Sequence, residues 1–236
     1  MKVLLATLLS FVVLRDWPAN RWGVLRSDSR ALVPCRVGLL ASFFFGLTII
    51  TLLFDQPILN FLRSAPGPLT TAVIYLGGAI GDNYHFWCCL LCVYFATKFG
   101  NWKKASDVVY AAMLSAGLAA AIGFLVKLIF LRARPAAGFG PFSFFNHTGY
   151  AADTEMFLSL PSGDVTLVAG AAASVSFSMN NRRYLRLWVL ALPVMTAVSR
   201  VSLNRHWPSD TLVAFALGTL VARGLHNWKS RNGIQS

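Results

Sequence analysis

Polar side chains in an apolar chain are the ones placed to do chemistry, and here they gather in three short runs. The run SRVSLNRHWPSD puts Ser199 and Arg200 ahead of His206, and His206 four residues ahead of Asp210. That separation lets a carboxylate hold one imidazole nitrogen, fix the tautomer and leave the other nitrogen as a base or nucleophile. Lys127 precedes Arg134-Pro135 by seven residues, two helical turns, so both cationic heads reach one locus if the helix persists. Pro161-Ser162-Gly163-Asp164 opens another apolar run. Free N–H groups at a helix start, with the positive end of its dipole, form an anion cradle, and Gly163 lets an anion approach the backbone.

Each run has a plainer reading. Ser162 and Asp164 suit a helix cap, Lys127, Arg132 and Arg134 suit snorkelling at an interface, and a solitary interfacial histidine is usually structural. Together the runs are harder to dismiss: Lys127, Arg134 and Arg200 can neutralise a phosphate that His206 attacks in line.

The elements that carry these runs follow from composition. Of 236 residues, 56% are hydrophobic and 13% charged. A soluble domain of this size needs more charge to cover its surface, so the bilayer is the expected solvent. Apolar runs predict spanning helices over about 37–54, 84–99, 105–130, 162–180, 185–203 and 209–226, at about 20 residues per crossing. Backbone groups in hydrocarbon pair within their own segment, which makes these runs helical and the fold class all-α, a six-helix polytopic bundle. Residues 1–36 are expected to form a cytoplasmic segment whose first 14 residues lie as an interfacial helix. Residues 37–236 form the membrane domain. The stretch 55–83 reads as an outer connection with a re-entrant or amphipathic piece near 69–81 and turns at Pro66-Gly67-Pro68 and Gly77-Gly78.

The formal charge of +12 does not point to nucleic acid, because most of the 21 basic residues sit in short connections between apolar runs. Arg15, Arg21, Arg26, Arg30 and Arg36, then Lys98, Lys103 and Lys104, then Arg182, Arg183 and Arg186, then Arg223, Lys229 and Arg231 fall on one side of a six-helix path. The positive-inside rule makes that side cytoplasmic, with both termini. All three polar runs fall on the other face. Cys88, Cys89 and Cys92 crowd one apolar run without the paired CxxC arrangement of a zinc site, so they and Cys35 are expected as buried reduced thiols.

The three runs together resemble the type 2 phosphatidic acid phosphatase (PAP2) superfamily, in which Lys, six residues and Arg-Pro precede Pro-Ser-Gly-His and then Ser-Arg, five residues, His, three residues and Asp. The resemblance covers about residues 84–226. It implies metal-independent hydrolysis of a lipid phosphomonoester or diphosphate, with no cofactor, at the outer face of a bacterial cytoplasmic membrane. By the same resemblance His206 attacks phosphorus to give a phosphohistidine, Asp210 orients it, and Lys127, Arg134, Ser162, Gly163 and Arg200 hold the phosphoryl oxygens. Phosphatidylglycerol phosphate, phosphatidic acid, undecaprenyl diphosphate and a phosphorylated lipid A are the substrate classes it suggests. A lipid phosphotransferase and a non-catalytic anionic-lipid binder or transporter are the alternatives.

One position departs from the pattern. Asp164 stands where the family has the histidine expected to protonate the leaving oxygen. Asp164 serves as the acid when protonated, or His147, His85 or water replaces it, or the site is impaired. A leaving group of low pKa, as in a diphosphate, needs an acid less. Head-group selection is expected from 55–83 and 136–160, where Phe139, Phe142, Phe144, Phe145 and Tyr150 stand near acyl chains.

Overall fold

The computed structural model describes residues 32–64, 67–147, 153–179 and 183–231. The expected interfacial segment at the N-terminus and Tyr150 lie outside them, as does the Cys35 side chain. Among the described residues there is no strand. The helices in chain order are α1 (Leu32–Leu53), α2 (Asp55–Ser64), α3 (Pro68–Gly81), α4 (Asn83–Phe99), α5 (Lys103–Phe130), α6 (Gly163–Ser178), α7 (Arg183–Ser202) and α8 (Pro208–Arg231). Two 3-10 turns, Pro135–Ala137 and Thr154–Phe157, punctuate the long connection between α5 and α6.

The centre of the bundle is α6, which packs against α5, α7 and α8. Its sequence GDVTLVAGAAASVSFS is built from small residues, and most of them are buried. Small side chains let helix backbones approach closely, which is how helices associate where lipid removes the hydrophobic drive. Two glycines show how close. A Cβ on Gly170 would lie 3.0 Å from the Ser115 carbonyl oxygen of α5, and one on Gly218 of α8 would lie 2.6 Å from the Gly170 nitrogen.

Outward faces are apolar: Phe45, Leu125, Tyr184 and Trp188 are all largely exposed. Such surface in an all-helical protein belongs against hydrocarbon. The run Lys103–Ala137 and the helix Arg183–Ser202 are each long and apolar enough to cross a membrane. Ser42–Leu53 and Asp55–Ser64 pass the same test as a pair bent by 69°. α6 is only 16 residues long. Enclosed by α5, α7 and α8, it is a little shorter than the run expected over 162–180.

Two expectations are corrected here. Gly77-Gly78 is not a turn but the interior of α3, because α3 lies directly on α7: a Cβ on Gly77 would sit 2.1 Å from the Met195 carbonyl oxygen. The piece expected near 69–81 is helical, as α3, and both α2 and α3 pack against α7. Cys88, Cys89 and Cys92 are free thiols, but they are exposed on the outward face of α4, whose inward contact with α5 is made by residues such as Trp87 and Tyr94.

Candidate active site

α5 ends at Phe130, where Leu131 takes the left-handed conformation (φ 40°, ψ 48°) and donates its N–H to the Lys127 carbonyl. The helix therefore does not persist to Arg134. A β-carbon resists that conformation, so the chain beyond must hold it, and it does. The Arg132 carbonyl accepts from the Ser159 N–H, Ala133 N–H donates to the Ser143 carbonyl, and Arg134 N–H donates to the Met156 carbonyl. Trp207 Nε1 donates to the Ala133 carbonyl at 2.9 Å. Arg134 is thus aimed by a short extended segment knitted to the α5–α6 connection and to the turn before α8.

Lys127 Nζ donates to the Leu158 carbonyl at 2.6 Å, and a Cβ on Gly163 would lie 3.8 Å from Lys127 Cε. Lysine and cradle are neighbours. Ser162 precedes α6, yet its side chain makes no cap hydrogen bond, and its buried Oγ has no partner among the described residues. Arg134 Nε is likewise buried without a partner. Buried polar atoms normally find one, so two orphans beside a lysine and a helix N-terminus mark a place made for a polar ligand. The Ser162 N–H donates to the Asp210 carbonyl at 3.2 Å, which joins the starts of α6 and α8.

Arg200, near the end of α7, is held from a side the sequence did not indicate. Its Nη2 donates to the Gly78 carbonyl of α3 at 3.3 Å, and Ser199 Oγ donates to the Ile74 carbonyl at 2.8 Å. Arg200 Nε lies 2.7 Å from Asp164 Oδ2, an ion-pair distance outside hydrogen-bond angles. Asp164 is therefore the counter-ion of Arg200. Of the other histidines considered, His85 is exposed and bonded to Asp82 at 2.9 Å, where Asp82 caps α4, and His147 is exposed on the α5–α6 connection.

His206 sits in the turn between α7 and α8, 4% exposed, after Asn204 in the left-handed conformation. Its Nδ1 lies 2.9 Å from the Ser159 carbonyl and 3.8 Å from Asp210 Oδ2. Against a carbonyl acceptor, Nδ1 carries the proton and Nε2 keeps its lone pair. Asp210 reaches the histidine through Ser159: its Oδ2 accepts from Ser159 Oγ at 2.5 Å and from the Trp207 N–H at 2.9 Å. The second bond also closes the first turn of α8, as in a capping box. Burial pushes the His206 imidazole down to about 4; Lys127 and Arg134 add to this, while the nearby Asp210 carboxylate opposes it. A ring so held stays uncharged at neutral pH, with Nε2 left as a base or a nucleophile. The acid limb of kcat/KM, which reports the free enzyme, is expected near pH 4 and not near the ordinary imidazole value of 6.5. A pH–rate profile checks this, and a limb near 6.5 would contradict it.

The sequence reading missed Asp55, Ser159 and Ser209 and gave Arg132 no role beyond the interface. Arg132 is buried and bridges Asp55 (2.7 Å) and Asp210 (2.5 Å). A signal was available: Asp55 follows directly on an apolar run, where a charge demands a partner. Of the aromatic residues expected to meet acyl chains, Phe139, Phe142 and Phe145 are exposed, whereas the Phe144 ring lies 4.9 Å from the Arg132 guanidinium.

A family model described as the PAP2 superfamily matches residues 107–234. A lipid A 1-phosphatase from Rhizobium etli is 30% identical over 183 residues, covering 71% of this chain and 73% of that protein. A second, from Rhizobium johnstonii, is 29% identical over 180 residues, covering 71% and 70%. Among solved structures, a transmembrane PAP2-type phosphatidylglycerolphosphate phosphatase from Bacillus subtilis superposes with TM-score 0.61 at 20% identity, covering 82% of this chain and 96% of that one. LpxE from Aquifex aeolicus gives 0.51 at 17% identity, covering 74% and 95%.

Proposed function

This chain belongs to the PAP2 superfamily, and from that premise we propose that it is an integral-membrane lipid phosphatase acting on a lipid A-type 1-phosphate through a phosphohistidine on His206. The observation that carries the reading is the gathering of Lys127 and Arg134 about a buried His206 whose Nδ1 is already held, with the unpartnered Ser162 hydroxyl at the start of α6 and Arg200 joined to the same helix start through Asp164. In phosphoryl transfer the protein's main task is to position the groups and to stabilise charge on the equatorial oxygens, and cations with helix N–H groups do both. Nε2 of His206 attacks phosphorus as the P–O bond to the lipid breaks, and the departing oxyanion takes its proton from water. Water then cleaves the P–N bond, releasing phosphate and restoring the imidazole.

The substrate class rests on the curated relatives, both named lipid A 1-phosphatase, and on Asp164. Asp164 lies against Arg200 as its counter-ion and stands where the family has a histidine, so the site offers no histidine acid at that position. A sugar hemiacetal is a better leaving group than a glycerol hydroxyl, so an anomeric phosphate tolerates a missing acid more readily. A substrate phosphate dianion displaces Asp164 from Arg200, which the poor angle of that pair makes easy. The six-span path, both termini in the cytoplasm and a site at the outer face of the inner membrane belong to the same proposal, supported by the distribution of basic residues.

The test is phosphate release by the purified chain, without added metal, from lipid A, phosphatidylglycerol phosphate, phosphatidic acid and undecaprenyl diphosphate. Lipid A is expected to lose its 1-phosphate fastest. Asp164→His is expected to raise turnover of phosphatidic acid by about tenfold or more, within the ~10²–10⁴ range of a general acid, and to change the diphosphate little. Binding of these lipids with no release by the parent would favour the non-catalytic alternative.

A further inference from the structure

A buried charge network reaches from the His206 turn to a helix outside the segment that carries the family motifs. Arg132 uses every N–H donor its guanidinium has. Nε donates to the Pro141 carbonyl (3.0 Å), Nη1 to Ser209 Oγ (2.7 Å) and Asp210 Oδ1 (2.5 Å), and Nη2 to Asp55 Oδ2 (2.7 Å) and the Pro141 carbonyl (2.6 Å). Its faces are covered by Phe144 and Trp207. Asp55, the first residue of α2, accepts in addition from the Ser209 N–H (2.8 Å) and Ser209 Oγ (2.6 Å). Asp55, Arg132 and Asp210 are all fully buried.

We propose that Asp55 and Arg132 are positioning residues of the phosphatase reaction, fixing Asp210 so that Ser159 presents its carbonyl to His206 Nδ1. This rests on the reading of His206 as nucleophile. The chain of contacts has a single direction. Asp55 and Arg132 hold Oδ1 of Asp210 and the start of α8; Oδ2 then anchors the Ser159 hydroxyl; the carbonyl of that same serine holds the imidazole. Lose the far end and the carboxylate can turn, freeing Ser159 and letting the imidazole choose its tautomer.

A plain scaffold would predict the same loss of activity, so the sign of a charge effect decides. The groups facing His206 are Asp210 from α8, Lys127 from the end of α5 and Arg134 from the extended segment after it, with Asp164 close to both of those cations and paired with Arg200 of α7. Asp55, Arg132 and Asp210 together carry one net negative charge. Removing Asp55 makes the group neutral and disfavours imidazolium; removing Arg132 makes it doubly negative and favours imidazolium.

The full chain in detergent is compared as parent, Asp55→Asn, Arg132→Gln, Arg132→Lys and Gln56→Ala, the last an exposed neighbour on α2. Two readouts are taken: kcat and KM on the lipid phosphate the parent hydrolyses, and the titration of His206 by NMR after ¹⁵N-histidine labelling. The chain has four histidines, so the His206 signals are assigned by their loss in His206→Gln. Arg132→Gln is expected to lower kcat by about 10²-fold, the scale of a small misplacement of reacting groups, with KM little changed and the His206 midpoint raised. Asp55→Asn is expected to lower that midpoint. Arg132→Lys keeps the charge, so it is expected to lose kcat with the midpoint near the parent's, and Gln56→Ala matches the parent throughout. Midpoints that stay put, or move the same way in Asp55→Asn and Arg132→Gln, overturn the proposal; if Arg132→Gln does not fold, the direction of the Asp55→Asn shift decides. A parent that releases no phosphate defeats the functional reading instead, and the histidine titration still decides this one.

Discussion

His206→Ala abolishes phosphate release, by roughly 10⁴- to 10⁶-fold, the scale on which loss of a nucleophile acts in other covalent hydrolases. The expectation follows from what else the residue does, which is little. His206 is buried in a turn whose backbone is held by other groups: the Arg205 N–H donates to the Arg200 carbonyl, and the Trp207 N–H donates to Asp210. The imidazole contributes its Nδ1 bond to Ser159 and nothing to the closure of α7 or α8. The variant should therefore fold, bind inorganic vanadate through Lys127, Arg134 and Arg200, and fail to form a phosphoenzyme. Radiolabelled lipid phosphate, quenched during turnover, should leave acid-labile label on the parent and none on the variant. Residual turnover above about one percent of the parent would place the nucleophile elsewhere, since covalent catalysis cannot survive its removal.

The largest expected effect on stability is at Gly218. A Cβ there meets the Gly170 nitrogen at 2.6 Å, the Thr166 carbonyl oxygen at 2.8 Å and the Ala169 Cβ at 2.9 Å. Two of these are backbone atoms of α6, which cannot move aside as the end of a side chain does. Gly218→Val should destabilise by about 3 kcal/mol or more, the upper part of the overpacking range. At roughly 2–4 °C per kcal/mol, that lowers the thermal midpoint by about 6–12 °C. The effect reaches the site, because α6 begins at the cradle and α8 begins beside Asp210. Gly224→Ala on the same helix meets nothing within 4 Å and serves as the control. Differential scanning of both variants in one detergent checks this; equal midpoints would mean that α6 and α8 are not in such close contact.

Much of the site was legible because its residues are polar where the solvent is lipid. A bilayer leaves few reasons for a lysine, two arginines, a histidine and an aspartate to recur beside apolar runs, so their spacing carried information that it would not carry in a soluble protein. The helices were legible for the same reason, and the limits expected for the runs at 105–130 and 185–203 agree within a few residues with Lys103–Phe130 and Arg183–Ser202. What escaped was contact between segments distant in sequence. Gly77-Gly78 carries the signature of a turn and of a close helix crossing alike, and only the presence of Met195 opposite distinguishes them. Arg132 sits two residues from Arg134 and has the same chemistry, but Arg132 is taken up by Asp55, Ser209 and Asp210, whereas Arg134 Nε is left without a partner among the described residues. Asp164 illustrates a further limit: its type at that position was visible, whereas its pairing with Arg200 depends on how α6 and α7 meet.

The bonds that tie Asp55 to Ser209 cross 154 residues of chain, and that from Arg132 to Asp210 crosses 78. Synthesis runs from the N-terminus, so Asp55 and Arg132 reach the membrane before Ser209 and Asp210 exist. The two early charges cancel and can enter the apolar phase as a neutral pair, as buried charges in membranes do. Asp210 then joins with the last helix and brings the carboxylate that anchors Ser159 against the histidine. A nascent chain therefore carries Lys127 and Arg134 well before it carries an ordered His206. Competence arrives only with the final insertion step, so an unfinished chain cannot dephosphorylate the lipids around it.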